Sequence, residues 1–276
     1  MSSWNTATLK RQEKPPETLV IRHANAGFFS CCSMCLHEIV RFFNKYKELP
    51  TNLDTSQQFD WYKPTDRQTE SITADYFSED TSSIKYRGRI DYEHWYQYLD
   101  YKTLNYKQLS PFIKRYFTPS NDIKTFVEIL EAKYSIDYTN LCVLFHRGND
   151  KVTETPAAPY QDYVDRARLI QAENSEVRFL IQSDETEFID KMSTEFLYPA
   201  FFFRDEIRHI NKSINTVDKV WSRDDNYKFS QLYLAITIIM SKAKYIICGT
   251  GNCSMWICFY RGNATNVQQF LKTAWV

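Results

Sequence analysis

The chain has 276 residues, more than one average domain, so one large or two modest α/β domains with a substantial core are expected. Lysine plus arginine and aspartate plus glutamate both total 34, which leaves no net field to hold a nucleic-acid backbone or an anionic membrane and argues against a basic polymer-binding protein. The seven cysteines are odd in number and sit in apolar, periodic segments, so they read as reduced core thiols rather than a disulfide framework.

Residues 1–17 are polar and carry Pro15 and Pro16, which predicts a flexible arm with order beginning at Thr18. The arm has no apolar core, and the most apolar later run, LYLAITIIM, is far below the roughly 18 residues a membrane span needs. A cytoplasmic protein without signal peptide or membrane span is the expectation. TLVIRH (18–23) reads as a buried strand, ANAGFFS as a glycine turn, and the segment from about Cys31 to Lys47 as a long amphipathic helix, together half of a βαβ unit. The aromatic-rich stretch from Phe59 to Phe117 lacks either period and is expected to hold loops and short helices. At 118–122, TPSND combines a proline with helix-capping residues and predicts a helix to about Tyr134. It divides an N-terminal domain, 18–118, from a C-terminal domain, 119–276.

Strands and helices then alternate: strand 141–146, helix 160–173, strand 177–182, helix 185–193, strand 200–203, helix 227–242, strand 244–248, helix 252–260. That order implies an α/β domain with a parallel sheet and right-handed crossovers. In such a sheet ligands bind beyond the carboxyl ends of the strands. Four of the six glycines, Gly27, Gly148, Gly249 and Gly251, fall in strand-to-helix turns, where a bare backbone can bend sharply or approach a ligand.

Three strand-end segments carry the candidate chemistry. HRGNDKVTE (146–154) places Arg147, Asp150, Lys151 and Glu154 on one loop. The cations suit a developing diphosphate and Glu154 suits the proton of an attacking hydroxyl. The plainer alternative is a solvated loop with Asp150 paired to Lys151. CGTGNCSMW (248–256) opens a helix whose N–H groups and dipole make an anion cradle, with Thr250, Gly251, Asn252 and Ser254 as candidates, unless Asn252 is only an N-cap. In QSDETEF (182–188), Gln182, Ser183 and Asp184 are candidates for a base or ribose, against a D-x-x-E capping box of Asp184 and Glu187. GxGxxG, GxxxxGK[ST] and D-x-D are all absent, and the five histidines, including His37, His94 and His146, show no ligand spacing for zinc.

HRGNDKVTE resembles the H-x-R-R-x-D-K-V-x-x-E segment of α1,6-fucosyltransferases and the related segment of protein O-fucosyltransferases. Here one arginine stands where that family has two, with Gly148 following, and Glu154 comes three residues after Lys151 rather than four. The resemblance runs from residue 141 to the C-terminus. It implies a GT-B-like fold of two Rossmann-like halves with parallel sheets, and an inverting, metal-independent glycosyltransferase. The donor would be a GDP- or UDP-linked sugar and the acceptor a glycan hydroxyl, with no separate cofactor. Arg147 would then hold the diphosphate with Asp150 and Lys151, Glu154 would be the base with His23 as its alternative, and Asp184 would face the nucleoside. Gly27, Trp61 and Trp95 would lie on the acceptor side, in the N-terminal half. The opening GFFSCCSMCLHEIVRFFNKYKELP also looks like the soluble glycosyltransferases of large algal viruses, which makes xylose an alternative to fucose and an infected host cell the setting.

Two other classes compete. Cys32 and Cys35, after a strand and at a helix start, have the spacing of a thiol redox pair. The aromatic stretch 59–117 would suit a carbohydrate-binding module that stacks on sugar faces without chemistry.

Overall fold

A computed structural model describes residues 14–22, 26–78, 83–86, 88–197 and 200–271. Most of the expected arm lies outside these residues, as does His23. Strand β1 (Thr18–Val20), helix α1 (Phe28–Tyr46) and strand β2 (Asn52–Asp54) form one βαβ unit, with β1 and β2 parallel in the register Thr18 to Asn52. β1 differs from the buried strand expected over 18–23. It ends at Val20, and Thr18 and Val20 are exposed, because among the described residues β1 pairs only with β2.

From there to residue 117 the backbone forms the single turn α2 (Thr73–Tyr76), helix α3 (Tyr106–Tyr116) and short 3-10 turns at Asp60–Tyr62, His94–Tyr98 and Tyr101–Thr103. Among the described residues the N-terminal half holds one βαβ unit and an aromatic-rich irregular layer. Phe59, Tyr62, Tyr76, Tyr101 and Phe112 are fully buried, so these aromatics are core. α4 (Asn121–Tyr134) follows, started by Ser120, whose hydroxyl accepts from Ile123 N–H.

The C-terminal half is a doubly wound parallel sheet. Its elements are β3 (Leu141–His146), α5 (Tyr160–Glu173), β4 (Arg178–Ser183), α6 (Thr186–Glu195), β5 (Ala200–Phe201), α7 (Arg223–Lys242), β6 (Tyr245–Gly249), α8 (Asn252–Arg261) and β7 (Val267–Phe270). The strand order is β5-β4-β3-β6-β7. All six residues of β3 are buried, which explains its continuous apolar run LCVLFH: a central parallel strand is covered on both faces. VQQF, which forms the edge strand β7, carries too little apolar pattern to announce itself in the sequence. α7 is started by Ser222, which accepts from Asp225 N–H, with Asp224 and Asp225 in the positive first turn.

One hydrophobic core spans both halves, from Ile21 to Val267. Trp256 of α8 is its largest fully buried residue and joins the halves, with ring centroids 4.7 Å from Phe117 and 6.1 Å from Phe29 of α1. Trp256 Nε1 donates to Ser33 Oγ on α1, and Ser33 in turn donates to Asn252 Oδ1 at the start of α8. The N-termini of α1 and α8 are thereby fixed side by side. Among the described residues no helix is long and apolar enough to cross a membrane.

Candidate functional site

The winding of the sheet reverses between β3 and β6, and that switch point opens a crevice at the carboxyl ends of the strands. A cleft of about 340 Å³ lies there. The ends of β3 and β4 form its floor, the N-termini of α1 and α8 one wall, and a segment around Arg208 and Asp218 the other.

The loop after β3 is held by buried carboxylates. Asp184, at the end of β4, accepts from Gly148 N–H at 2.9 Å, and its other oxygen lies 3.1 Å from Arg147 Nε. That last contact is an ion pair whose direction falls short of a hydrogen bond, so Arg147 Nε and Asp184 Oδ2 both stay without a hydrogen-bond partner. Arg147 also donates to Asp150 Oδ1 at 2.9 Å. Burial pulls the Arg147 guanidinium down, but Asp184 and Asp150 outweigh it and leave it above its ordinary value. Burial pushes the Asp150 carboxyl up.

Glu185, one residue on, lies beneath the loop and is 1% exposed. It accepts from Asn149 N–H at 2.9 Å, from Tyr160, and faces His146 Nε2 at 3.2 Å. Burial raises the Glu185 carboxyl, yet these partners prevail and hold it at about 2. Asn149, with a left-handed φ of 44°, ties the loop to its neighbours: its amide donates to Asp184 O and accepts from Ser213 N–H. The D-x-x-E box is not formed. Asp184 turns to the β3 loop, and Glu187 accepts from Lys212 N–H instead, because backbone amides of two distant segments take these carboxylates.

Lys151 and Glu154 form the next layer. Lys151 Nζ donates to Glu154 Oε2 at 2.5 Å and to Gln97 Oε1 at 3.0 Å, and it lies over the Tyr98 ring. Tyr98 donates to the same Glu154 oxygen at 2.8 Å. The expected Asp150 to Lys151 pairing is replaced by Asp150 with Arg147 and Lys151 with Glu154, each three residues apart on the 3-10 turn Asn149–Thr153. Burial lowers the Lys151 ammonium. Burial raises the Glu154 carboxyl, but Lys151 and Tyr98 outweigh it and hold it below its ordinary value. A β-carbon on Gly251 would lie 3.8 Å from Lys151 Nζ, so the ammonium sits against the N-terminus of α8, where the N-cap Gly251 has no side chain to cap with and its own N–H donates to Tyr101 Oη at 2.9 Å. A cation at the positive end of a helix is unfavourable unless an anion joins them.

The opposite wall was not legible in the sequence. Arg208 and Asp218 form a buried ion pair at 2.8 Å, with Arg208 also over the rings of Trp221 and Phe229. Tyr62 donates to Asp218 Oδ2 at 2.9 Å and accepts from Phe28 N–H, the first amide of α1, at 2.7 Å. These residues lie in loops of mixed polarity. FFFRDEIRHI, with two arginines and two acids among apolar residues, gave no local sign of which cation would be buried.

Of the residues singled out by sequence, Arg147, Asp150, Lys151, Glu154, Gln182, Ser183, Asp184, Gly251, Asn252, Gly27 and Trp61 all line this cleft. Gln182 Oε1 is a further buried atom without a partner. Asn252 is the first helical residue rather than the N-cap, which is Gly251. Thr250 and Ser254 do not line the cleft. Thr250 Oγ1 accepts from Gln269 on β7, and Ser254 is buried within α8. Trp95 stands outside on the surface, 47% exposed and edge-on to Tyr96.

The thiol reading fails on burial. Cys32 and Cys35 are free and buried, and burial pushes both thiols well above their ordinary values, opposite to a reactive pair. A sugar-stacking platform over 59–117 fails too: among its described residues only Tyr86 and Trp95 are exposed large hydrophobics.

No protein-family model and no curated protein matches the sequence. Among solved structures, the chain is similar to POFUT1 in its apo form, with a TM-score of 0.40 and 11% identity over 60% of this chain and 50% of that one. It is also similar to the NodZ alpha-1,6-fucosyltransferase soaked with GDP-fucose, with a TM-score of 0.35 and 9% identity over 56% of this chain and 47% of that one. The chain spans about half the length of the structures it matches.

Proposed function

We propose that the chain is a glycosyltransferase that moves a monosaccharide, fucose or xylose, from a nucleoside-diphosphate sugar to a glycan hydroxyl with inversion. The observation that carries this is Lys151 held against the glycine-started N-terminus of α8, in a cleft shared with Arg147 and the unpartnered atoms Arg147 Nε, Asp184 Oδ2 and Gln182 Oε1. Buried polar atoms left unpaired cost roughly 1–3 kcal/mol each, and a ligand that pairs them recovers it. A diphosphate answers the cations and the helix end. A nucleoside or sugar with donor and acceptor groups answers Gln182 and Asp184. The resemblance of HRGNDKVTE to the fucosyltransferase segment supports the same assignment from the sequence side.

In this reading the diphosphate lies between Arg147, Lys151 and the amides that open α8. The acceptor enters past Trp61, Gly27 and the start of α1. Its hydroxyl oxygen attacks the anomeric carbon from the face opposite the diphosphate, and Glu154 takes the proton. The C1–O bond breaks with its electron pair going to the nucleoside diphosphate, whose charge Arg147, Lys151 and the α8 dipole stabilise. That charge-neutralising set supports metal-independent transfer. The donor phosphate competes with Glu154 for Lys151, which leaves Tyr98 as the donor to Glu154 Oε2 and raises the carboxylate's basicity when the sugar nucleotide is in place.

A thermal-shift panel of GDP, UDP and their fucose and xylose conjugates tests the reading, because a ligand of the native state raises the melting temperature by mass action. One nucleotide series is expected to raise it in the wild type and not in Arg147→Ala. A folded protein that none of these compounds stabilises overturns it.

A further inference from the structure

We infer that His37, Glu93 and His94 form a binding site for a divalent transition-metal ion, zinc by preference, outside the cleft. His37 lies midway along α1 and is buried; Glu93 and the exposed His94 open the 3-10 turn His94–Tyr98. Far apart in sequence and without zinc spacing, the three bring one ligand atom each to within 4.8 Å of one another.

Two distances fit a shared ion. His37 Nδ1 sits 3.1 Å from Glu93 Oε2, yet this buried nitrogen makes no hydrogen bond: the separation is right and the direction is wrong. Zinc bonds of roughly 2.0–2.2 Å in a tetrahedron hold ligand atoms about 3.3 Å apart with both lone pairs aimed at the ion rather than at each other. The His37 and His94 rings have centroids 5.3 Å apart and planes at 83°. Two imidazoles on one tetrahedral zinc stand about 5 Å apart, since each centroid lies about 3 Å from the ion.

On the other side of the ring, His37 Nε2 faces Glu38 Oε1 at 3.8 Å. A carboxylate there favours the ring proton on Nε2 and leaves the Nδ1 lone pair for the metal. Arg41 is drawn to Glu38 at 2.9 Å, away from Glu93. Two imidazoles and one carboxylate are a donor set for zinc and its neighbours rather than for calcium or magnesium, and water completes the tetrahedron. The ion would tie α1 to the segment that leads into Gln97 and Tyr98, the partners of Lys151 and Glu154. The site stands independently of how the cleft is read.

The test uses the full chain freed of metal by chelation, with Zn²⁺ titrated by calorimetry and Co²⁺ followed by absorption. The expected result is one ion per chain with a rise in melting temperature, and affinity weakened by roughly 100-fold or more in His94→Ala and Glu93→Gln. Both residues reach solvent, so these variants keep the fold. Co²⁺ is expected to give tetrahedral d–d absorption without a thiolate charge-transfer band. A folded wild type that binds no Zn²⁺, affinity unchanged in His94→Ala, or a thiolate band assigning the ion to cysteine would each overturn the site.

Discussion

The carboxylate of Glu185 fills the space into which any side chain at position 148 would project: a β-carbon on Gly148 would lie 1.9 Å from Glu185 Cδ. Glu185 cannot step aside, because Asn149 N–H, Tyr160 and His146 hold it in place. No side chain fits at position 148 while Glu185 stays in place. Gly148→Ala is expected to cost about 2 kcal/mol, the scale of overpacking a buried site, and Gly148→Arg more. Urea unfolding measures it, and an unchanged midpoint in Gly148→Ala would show that Glu185 is free to move.

Glu185 should also govern acid stability. Its carboxyl stands at about 2 in the native protein against an ordinary value of 4.5. Its stabilisation is therefore fully present above pH 4.5 and is lost as pH falls from there toward 2, on the order of 3 kcal/mol in all. Unfolding free energy measured across that window should fall steeply in the wild type and less steeply in Glu185→Gln, which starts from lower stability at neutral pH. Parallel pH curves for the two proteins would remove Glu185 from this role.

Arg147→Ala is expected to lower kcat/KM by roughly two to three orders of magnitude, as for loss of one preorganised donor, and to abolish the nucleotide-induced thermal shift. Arg147→Lys should restore little, because a point charge cannot serve Asp184, Asp150 and a phosphate at once. An effect confined to the acceptor KM would move Arg147 out of the phosphate site.

Glu154→Gln should leave donor binding at least as strong as in the wild type, since Lys151 loses its competing carboxylate, while lowering kcat by about 10² to 10⁴, the range for a general base. His23→Ala, on a residue outside the described structure, should be milder. Tyr98→Phe removes one hydrogen bond from Glu154 and relaxes its low carboxyl value, so the acidic limb of the kcat profile should shift to higher pH. Wild-type turnover in Glu154→Gln with loss in His23→Ala would exchange the two assignments.

The sequence by itself determined four of the five strands of the C-terminal sheet, because buried parallel strands such as LCVLFH, and a capped helix such as the one after Ser120, write their structure into local pattern. β3 and α5 begin and end at the expected residues, and eleven of the expected residues meet in one cleft. Local pattern fails where partners are distant. Only the tertiary structure decided that Asp184 serves Gly148 and Arg147 rather than a capping box, and that Arg208 and Asp218 wall the cleft. It also made one core of the aromatic stretch and α8 around Trp256, and brought His37 beside His94. The reason is the same in each case: a carboxylate, an arginine or an imidazole has no preferred local partner, and burial makes it take whichever opposite charge, orphan amide or ring the packing of distant segments delivers.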